Sequence, residues 1–200
     1  MAQYNRYVYV PHLSYNQWRA NTLGNGYNVD YYARNHGWGN QCWDYCALCY
    51  WQYGLTLITK AGGGTAYDCW RYSRYANAKY PFTSVSGVQN IRRGDIIITK
   101  SPRSTTGHIC FADEDYRTSG DRSKLWCVGQ NQRGSSSLPV TRDEISIAYF
   151  VGLFRNMEWG SSSPEPEPEP EESVYNKDKY PWVLKNFNKR RGKRNGQRNL

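Results

Sequence analysis

The stretch Gly39-Asn40-Gln41-Cys42-Trp43-Asp44-Tyr45-Cys46 constrains this chain more than any other. A Gly-rich approach ends at Cys42, and Trp43, Cys46, Leu48, Cys49 and Tyr50 then follow with no Gly or Pro until Gly54. That pattern predicts a helix from Cys42 to about Tyr53, with Cys42 in its first turn. Unpaired backbone N–H groups at a helix start favour an anion there, which lowers a thiol's pKa and populates the nucleophilic thiolate. A cysteine nucleophile needs a base to take its proton and a group to orient that base. The chain has three histidines, His12, His36 and His108, so the search for a base is short.

The elements on either side set the fold class. Ser14 is placed to cap a short helix over Tyr15–Leu23, closed by Gly24. Gly24 to Gly39 reads as irregular, and Thr65 as the cap of a further helix reaching about Asn77. After that the period changes to that of strands: Ile96–Thr99, Gly107–Ala112, Leu125–Val128 and a closing strand over Ile145–Phe154. Helices first and strands afterwards is an α+β pattern, with turns short enough for an antiparallel sheet.

Composition bounds what such a domain does. The 200 residues suit one domain with appendages, and no run approaches the ~18 apolar residues of a membrane span. The start, Met1 to Arg6, lacks the apolar stretch of a secretory signal, which predicts folding in a cytoplasm and six reduced cysteines rather than a disulfide framework. Eight Trp and 18 Tyr can build a core or line a carbohydrate-stacking groove, half-buried strand positions being the commoner use. Net charge is +9, unevenly spread: residues 164–172 hold five Glu, and residues 173–200 hold nine basic side chains against one acidic. This predicts a catalytic body over residues 1–160, a stiff Ser then Pro-Glu linker over 161–172, and a basic, largely disordered tail over 173–200. Within the tail, Tyr180-Pro181-Trp182-Val183-Leu184 reads as an apolar anchor ahead of the basic run Lys189 to Arg194. The tail then serves as an address for an anionic partner, such as a wall polymer or an acidic protein surface, rather than as part of the catalytic machine. Nucleic acid is the less favoured partner.

His108 opens a strand, where a base is held more rigidly than on a loop, so it is the candidate partner of Cys42. Asn131, at the end of the following strand, can fix the ring's tautomer. Cys42, Cys46 and Cys49 also have the Cys-x3-Cys-x2-Cys spacing of an iron–sulfur site. On a helix that spacing simply marks one face, and small buried thiols are the expected role of Cys46 and Cys49. Zinc would require a second Cys/His pair that the sequence does not offer at a familiar spacing.

Together these stretches resemble the CHAP family, the cysteine- and histidine-dependent amidohydrolases/peptidases, in the form found in bacteriophage lysins. Gly39-Asn40-Gln41-Cys42-Trp43-Asp44 is similar to the family's nucleophile stretch and Thr65-Ala66-Tyr67-Asp68-Cys69-Trp70 to its second helix. Gly94-Asp95-Ile96, Gly107-His108-Ile109 and Gly129-Gln130-Asn131 follow in family order. The likeness covers roughly residues 14–157. It implies a papain-like fold, N-terminal helices packed on an antiparallel sheet, and a peptidoglycan hydrolase acting as N-acetylmuramoyl-L-alanine amidase or peptide-bond endopeptidase. It implies Cys42 as nucleophile, His108 as base, Asn131 as orienter, and Gln41 and Trp43 at the oxyanion or substrate. A phage origin follows from the same likeness, either as a lysis enzyme in the host cytoplasm or as a virion component. Two departures stand out. Gly129 occupies a position where many members carry Glu, and the acidic loop that holds calcium in several relatives is reduced here to Asp30, Asn35 and Asp44, few ligands for an ion that takes six to eight oxygens. No cofactor is therefore expected. The contrasting reading is a non-catalytic wall- or virion-binding protein, for which Cys42 and His108 would be dispensable.

Overall fold

The computed structural model describes residues 13–23, 41–60, 64–132 and 139–159. His12, His36, Asp30, Asn35, the linker and the basic tail lie outside the described residues. Helix α1 spans Tyr15–Thr22. Its start is a reciprocal cap: the Ser14 N–H donates to Gln17 Oε1 at 2.9 Å and the Gln17 N–H to Ser14 Oγ at 3.3 Å. Tyr15, Trp18 and Thr22, three and four residues apart, form its buried face. Helix α2, Cys42–Gln52, is buried along almost its whole length, from Cys42 through Tyr50 with only Trp43 partly exposed. It is the helix of the core, apolar all round rather than striped.

Six strands form one antiparallel sheet among the described residues: β1 Phe82–Val85, β2 Ile96–Thr99, β3 His108–Ala112, β4 Lys124–Gly129, β5 Thr141–Ser146 and β6 Phe150–Asn156. Their spatial order is β1-β6-β2-β3-β4-β5. The architecture is thus α+β with an antiparallel sheet. Alternate residues serve opposite faces. Ile96, Ile98, Ile109, Phe111, Val128 and Phe154 join α1 and α2 in one apolar cluster. Ile97, Cys110, Ala112, Leu125, Cys127 and Leu153 form a second with Ile91 and Ile147. The unbroken run Ile96-Ile97-Ile98 is explained by this two-sided cover, because a central strand buried on both faces has no reason to alternate.

Aromatic rings join the layers. Phe111 on β3 meets Tyr45 of α2 edge-on, with centroids 5.3 Å apart, and lies 6.0 Å from Tyr15 and 6.2 Å from Trp18 of α1. Tyr50 stacks on Phe82 at 3.9 Å and 7°. The Tyr15 hydroxyl donates to Asp113 Oδ1 at 3.0 Å, and Arg19 pairs with the same carboxylate, which locks α1 to the end of β3.

Three expectations change. The closing strand over 145–154 is two strands, β5 and β6, separated by a turn in which the Phe150 N–H donates to the Ile147 carbonyl at 3.1 Å. The apolar run continues across that turn, so hydropathy alone does not mark it. Strand β1 has no counterpart in the sequence reading, since its Thr83-Ser84 centre carries no apolar alternation; it forms by pairing along β6. The single helix expected over 65–77 is two one-turn helices, α3 Asp68–Arg71 and α4 Arg74–Asn77. Thr65 does not accept a cap bond; instead its N–H and Oγ1–H donate to Asp68 Oδ2 at 2.9 and 3.0 Å. Buried Asn77 ties the pair down, donating from Nδ2 to the carbonyls of Ile58 and Cys69.

Candidate active site

Cys42 is the first residue of α2 and is 8 % exposed, so its thiol meets the dipole of the helix start while almost shielded from water. Gln41 before it is extended, at φ −94° and ψ 161°, and donates its N–H to Asp44 Oδ2 at 2.8 Å. Through that bond the Asp44 carboxylate closes the first turn of the helix, a structural role. Of the three residues named for calcium it is the one described, and no group of three or more His, Cys, Asp or Glu among the described residues is arranged to hold a metal ion.

His108 opens β3 directly after Gly107, whose φ of +72° belongs to the left-handed region. A Cβ at Gly107 would also lie 2.8 Å from the Thr99 carbonyl oxygen, so glycine there lets the chain turn into the strand with His108 in place. The His108 ring hydrogen-bonds Cys42, and the backbone N–H groups of Ile109 and Trp43 also reach the sulfur. Burial acts to push the Cys42 thiol up, but attraction to His108 and these bonds together bring it below its ordinary value. His108 moves the other way. Burial acts to lower it, yet the Cys42 charge and the bonds to Cys42 and Gln132 raise it above the ordinary histidine range. Opposite shifts of this kind favour a thiolate–imidazolium pair.

The orienting residue differs from the one expected. Gln132 Oε1 lies 3.2 Å from His108 Nε2, whereas Asn131 does not bond the ring. The direction of the Gln132 amide is fixed from behind: its Nε2 donates to the carbonyls of Cys127 at 2.8 Å and Thr141 at 3.1 Å. Both amide protons being used, Oε1 can only accept, so His108 Nε2 carries a proton and Nδ1 is left for Cys42. The reason lies in the backbone. Strands β3 and β4 pair Phe111 with Val128 and Ala112 with Cys127, a register that would bring position 131 opposite His108 if the strand ran on. It stops at Gly129, and Asn131 sits at φ +55°. The left-handed residue turns the chain, and Gln132 reaches the ring instead.

Asn131 holds the other half of the site. Its Nδ2 donates to Gln41 Oε1 at 3.0 Å, while fully buried Gln130 donates from Nε2 to the Gln41 carbonyl at 3.0 Å. Three consecutive amides at the end of β4 therefore fix both halves of the Cys42–His108 pair: Gln130 and Asn131 hold the residue that presents Cys42, and Gln132 holds His108. Gly129 has a packing reason. A Cβ there would lie 2.9 Å from Cys110 Cβ. Trp43 is partly buried and packs against the apolar cluster of the helical layer, so its ring belongs at least in part to the interior. The remaining thiols of the helical layer serve the core: burial pushes Cys46, Cys49 and Cys69 well up.

One consequence is testable at Gln132. Gln132→Leu removes an acceptor that favours the protonated ring, so the His108 pKa should fall. Activity that requires imidazolium is lost as pH rises through that pKa, so the alkaline limb of kcat/KM should move to lower pH. Loss of a hydrogen bond to a charged group, about 1.5 kcal/mol, corresponds to roughly tenfold in kcat/KM near neutrality. A pH–rate profile of the variant measures both.

No protein-family model and no curated protein matches the chain. Among solved structures it is similar to the wild-type endolysin LysIME-EF1, with 20% identity and a TM-score of 0.47, covering 72% of this chain and 64% of that one. It is also similar to Ly7917, at 21% identity and a TM-score of 0.46, covering 71% of this chain and 60% of that one. A second structure of Ly7917, described as holding the hydrolyzing product of MDP, compares at the same identity and TM-score. The chain spans less than two thirds of the length of each. No helix among the described residues is long and apolar enough to cross a membrane.

Proposed function

We propose that the protein is a cysteine-dependent peptidoglycan hydrolase of papain-like CHAP type, encoded by a phage and cutting an amide bond of the bacterial wall. The observation that carries this reading is the Cys42–His108 pair: a thiol at a helix start, hydrogen-bonded to a strand-borne imidazole that is itself oriented by a fixed amide. The motifs from Gly39 to Asn131 supply the substrate class.

The chemistry is acyl transfer. Cys42 thiolate attacks the amide carbonyl carbon, and the carbonyl electrons move to oxygen. The Cys42 backbone N–H stabilises that oxyanion. The Gln41 amide joins it from the Nε2 end, because Asn131 holds the Oε1 end. His108 imidazolium then gives its Nδ1 proton to the leaving amine, and the C–N bond breaks to leave a thioester. A water, deprotonated by the now neutral His108, attacks the thioester and releases the carboxylate. Cys42 leaves as thiolate and His108 ends protonated, so the pair is restored.

Purified peptidoglycan digested with the protein and analysed by mass spectrometry tests the reading. The expected result is soluble fragments carrying one new amine and one new carboxylate per cut. A free lactyl carboxylate on muramic acid identifies an amidase, and new peptide termini identify an endopeptidase. Walls left without new termini by a protein of native circular dichroism would overturn the proposal.

A further inference from the structure

Beside the Cys42–His108 centre, helices α3 and α4 carry a surface that the chemistry above does not use. Tyr72 and Tyr75 are large side chains left 57 % and 78 % exposed. Cations lie over the rings. The Arg71 guanidinium is 4.9 Å from the Tyr72 centroid and 6.0 Å from Tyr67, Arg74 is 4.5 Å from Tyr75, and Lys100 Nζ is 5.2 Å from Tyr67. The ion pairs among the described residues belong to Arg19, Arg93, Arg117, Arg142 and Arg155; Arg71, Arg74 and Lys100 take aromatic faces instead. The one acid within α3 and α4, Asp68, is buried and accepts from Thr65. The patch is continuous with the reaction centre. The Tyr67 N–H donates to the Thr106 carbonyl at 3.0 Å, two residues before His108, and Tyr67 lies close enough to Gly107 that a Cβ added there would be 3.2 Å from Tyr67 Cβ.

We infer that this aromatic and cationic strip holds the polymer on one side of the scissile bond: carboxylates of the peptidoglycan stems on Arg71, Arg74 and Lys100, and sugar faces on Tyr72 and Tyr75. The inference rests on the peptidoglycan reading above. Stacking on a ring holds the Arg71 guanidinium flat and leaves its N–H edge for a carboxylate. Arg74 gives one Nη2 N–H to the Tyr75 hydroxyl and offers its other donors, while exposed tyrosine offers an apolar face to the C–H side of a sugar. Continuity with the base selects the occupant, because the molecule lying there must be the one whose amide reaches Cys42. A segment of wall polymer satisfies this, and a short soluble fragment that fills only the cleft does not reach the strip.

The test compares the full chain with Arg71→Gln/Arg74→Gln and with Tyr72→Ala/Tyr75→Ala, exposed or partly exposed positions at which folding should be kept. Each is assayed on a short soluble muropeptide and on insoluble peptidoglycan stripped of phosphodiester polymers by hydrofluoric acid. Binding to stripped and to unstripped walls is measured separately by co-sedimentation, with Cys42→Ala added to each chain to prevent cleavage. Removing the Arg71 and Arg74 charges together should weaken sedimentation and wall hydrolysis about tenfold at low salt, with the deficit shrinking as salt rises. Turnover of the soluble fragment should be unchanged. Equal sedimentation of parent and variants on stripped walls overturns the inference. So does a deficit confined to unstripped walls, which would make a phosphodiester polymer the occupant. If the parent cleaves neither substrate, the hydrolase reading fails, and co-sedimentation still decides whether the strip binds the polymer.

Discussion

Replacing His108 by alanine should lower wall hydrolysis by roughly 10³- to 10⁴-fold, and Cys42→Ala should be at least as damaging. His108 acts twice in the proposed cycle, as proton donor to the leaving amine and as base for water. It also holds the Cys42 thiol below its ordinary value, chiefly by its charge. Without it burial is opposed only by the backbone bonds from Ile109 and Trp43, the thiolate fraction near neutrality falls, and the nucleophile is weakened as the acid is lost. Because the two act as a unit, the double variant should be little worse than either single one. Circular dichroism and urea midpoints should stay near parental values, since His108 is at the start of its strand and Cys42 at the start of its helix. Steady-state hydrolysis of labelled walls measures the effect. A His108→Ala protein within tenfold of the parent would require another base.

The largest expected loss of stability is at Phe111. Its ring is fully buried where β3 faces both α1 and α2, among Tyr15, Trp18, Tyr45 and Trp159. Phe111→Ala should cost about 3–5 kcal/mol, because the large rings around it cannot close the cavity without giving up their own packing. A urea titration followed by tryptophan fluorescence would show it as a lower midpoint with little change in slope. Activity per folded molecule should fall as well, since the same strand begins at His108 and the same helix begins at Cys42. A loss under about 1 kcal/mol would mean that the two layers are joined elsewhere.

The elements that can be read from the residues are those whose local chemistry agrees with their environment. Ser14 with Gln17 announces a capped helix, and Ile96 to Thr99 announces a strand. Cys42 at a helix start and His108 at a strand start are both local statements, and both positions are as expected. The errors come from pairing, which is not local. Strand β1 exists because β6 offers it a partner, and nothing in Thr83-Ser84 says so. The division of 145–154 depends on a turn inside an apolar run. The exchange of Asn131 for Gln132 at the base depends on one left-handed residue after Gly129. Asn is among the residues that tolerate that conformation, so Asn131 shortly after a strand-ending Gly is a signal that the alternation can break there.

Alkylation of the native protein by iodoacetamide, followed by peptide mapping, tests most directly the claim that Cys42 is an activated nucleophile. The six thiols are an internal control, since all are free and buried. Burial raises Cys46, Cys49, Cys69 and Cys110, whereas Cys42 is brought below its ordinary value by His108. The predicted result is a single adduct at Cys42, formed at neutral pH. Its rate should fall only as pH drops through the lowered Cys42 pKa, and in His108→Ala that fall should move to higher pH. Labelling spread over several cysteines, or a Cys42 that stays unmodified until pH reaches the ordinary thiol range, would contradict it.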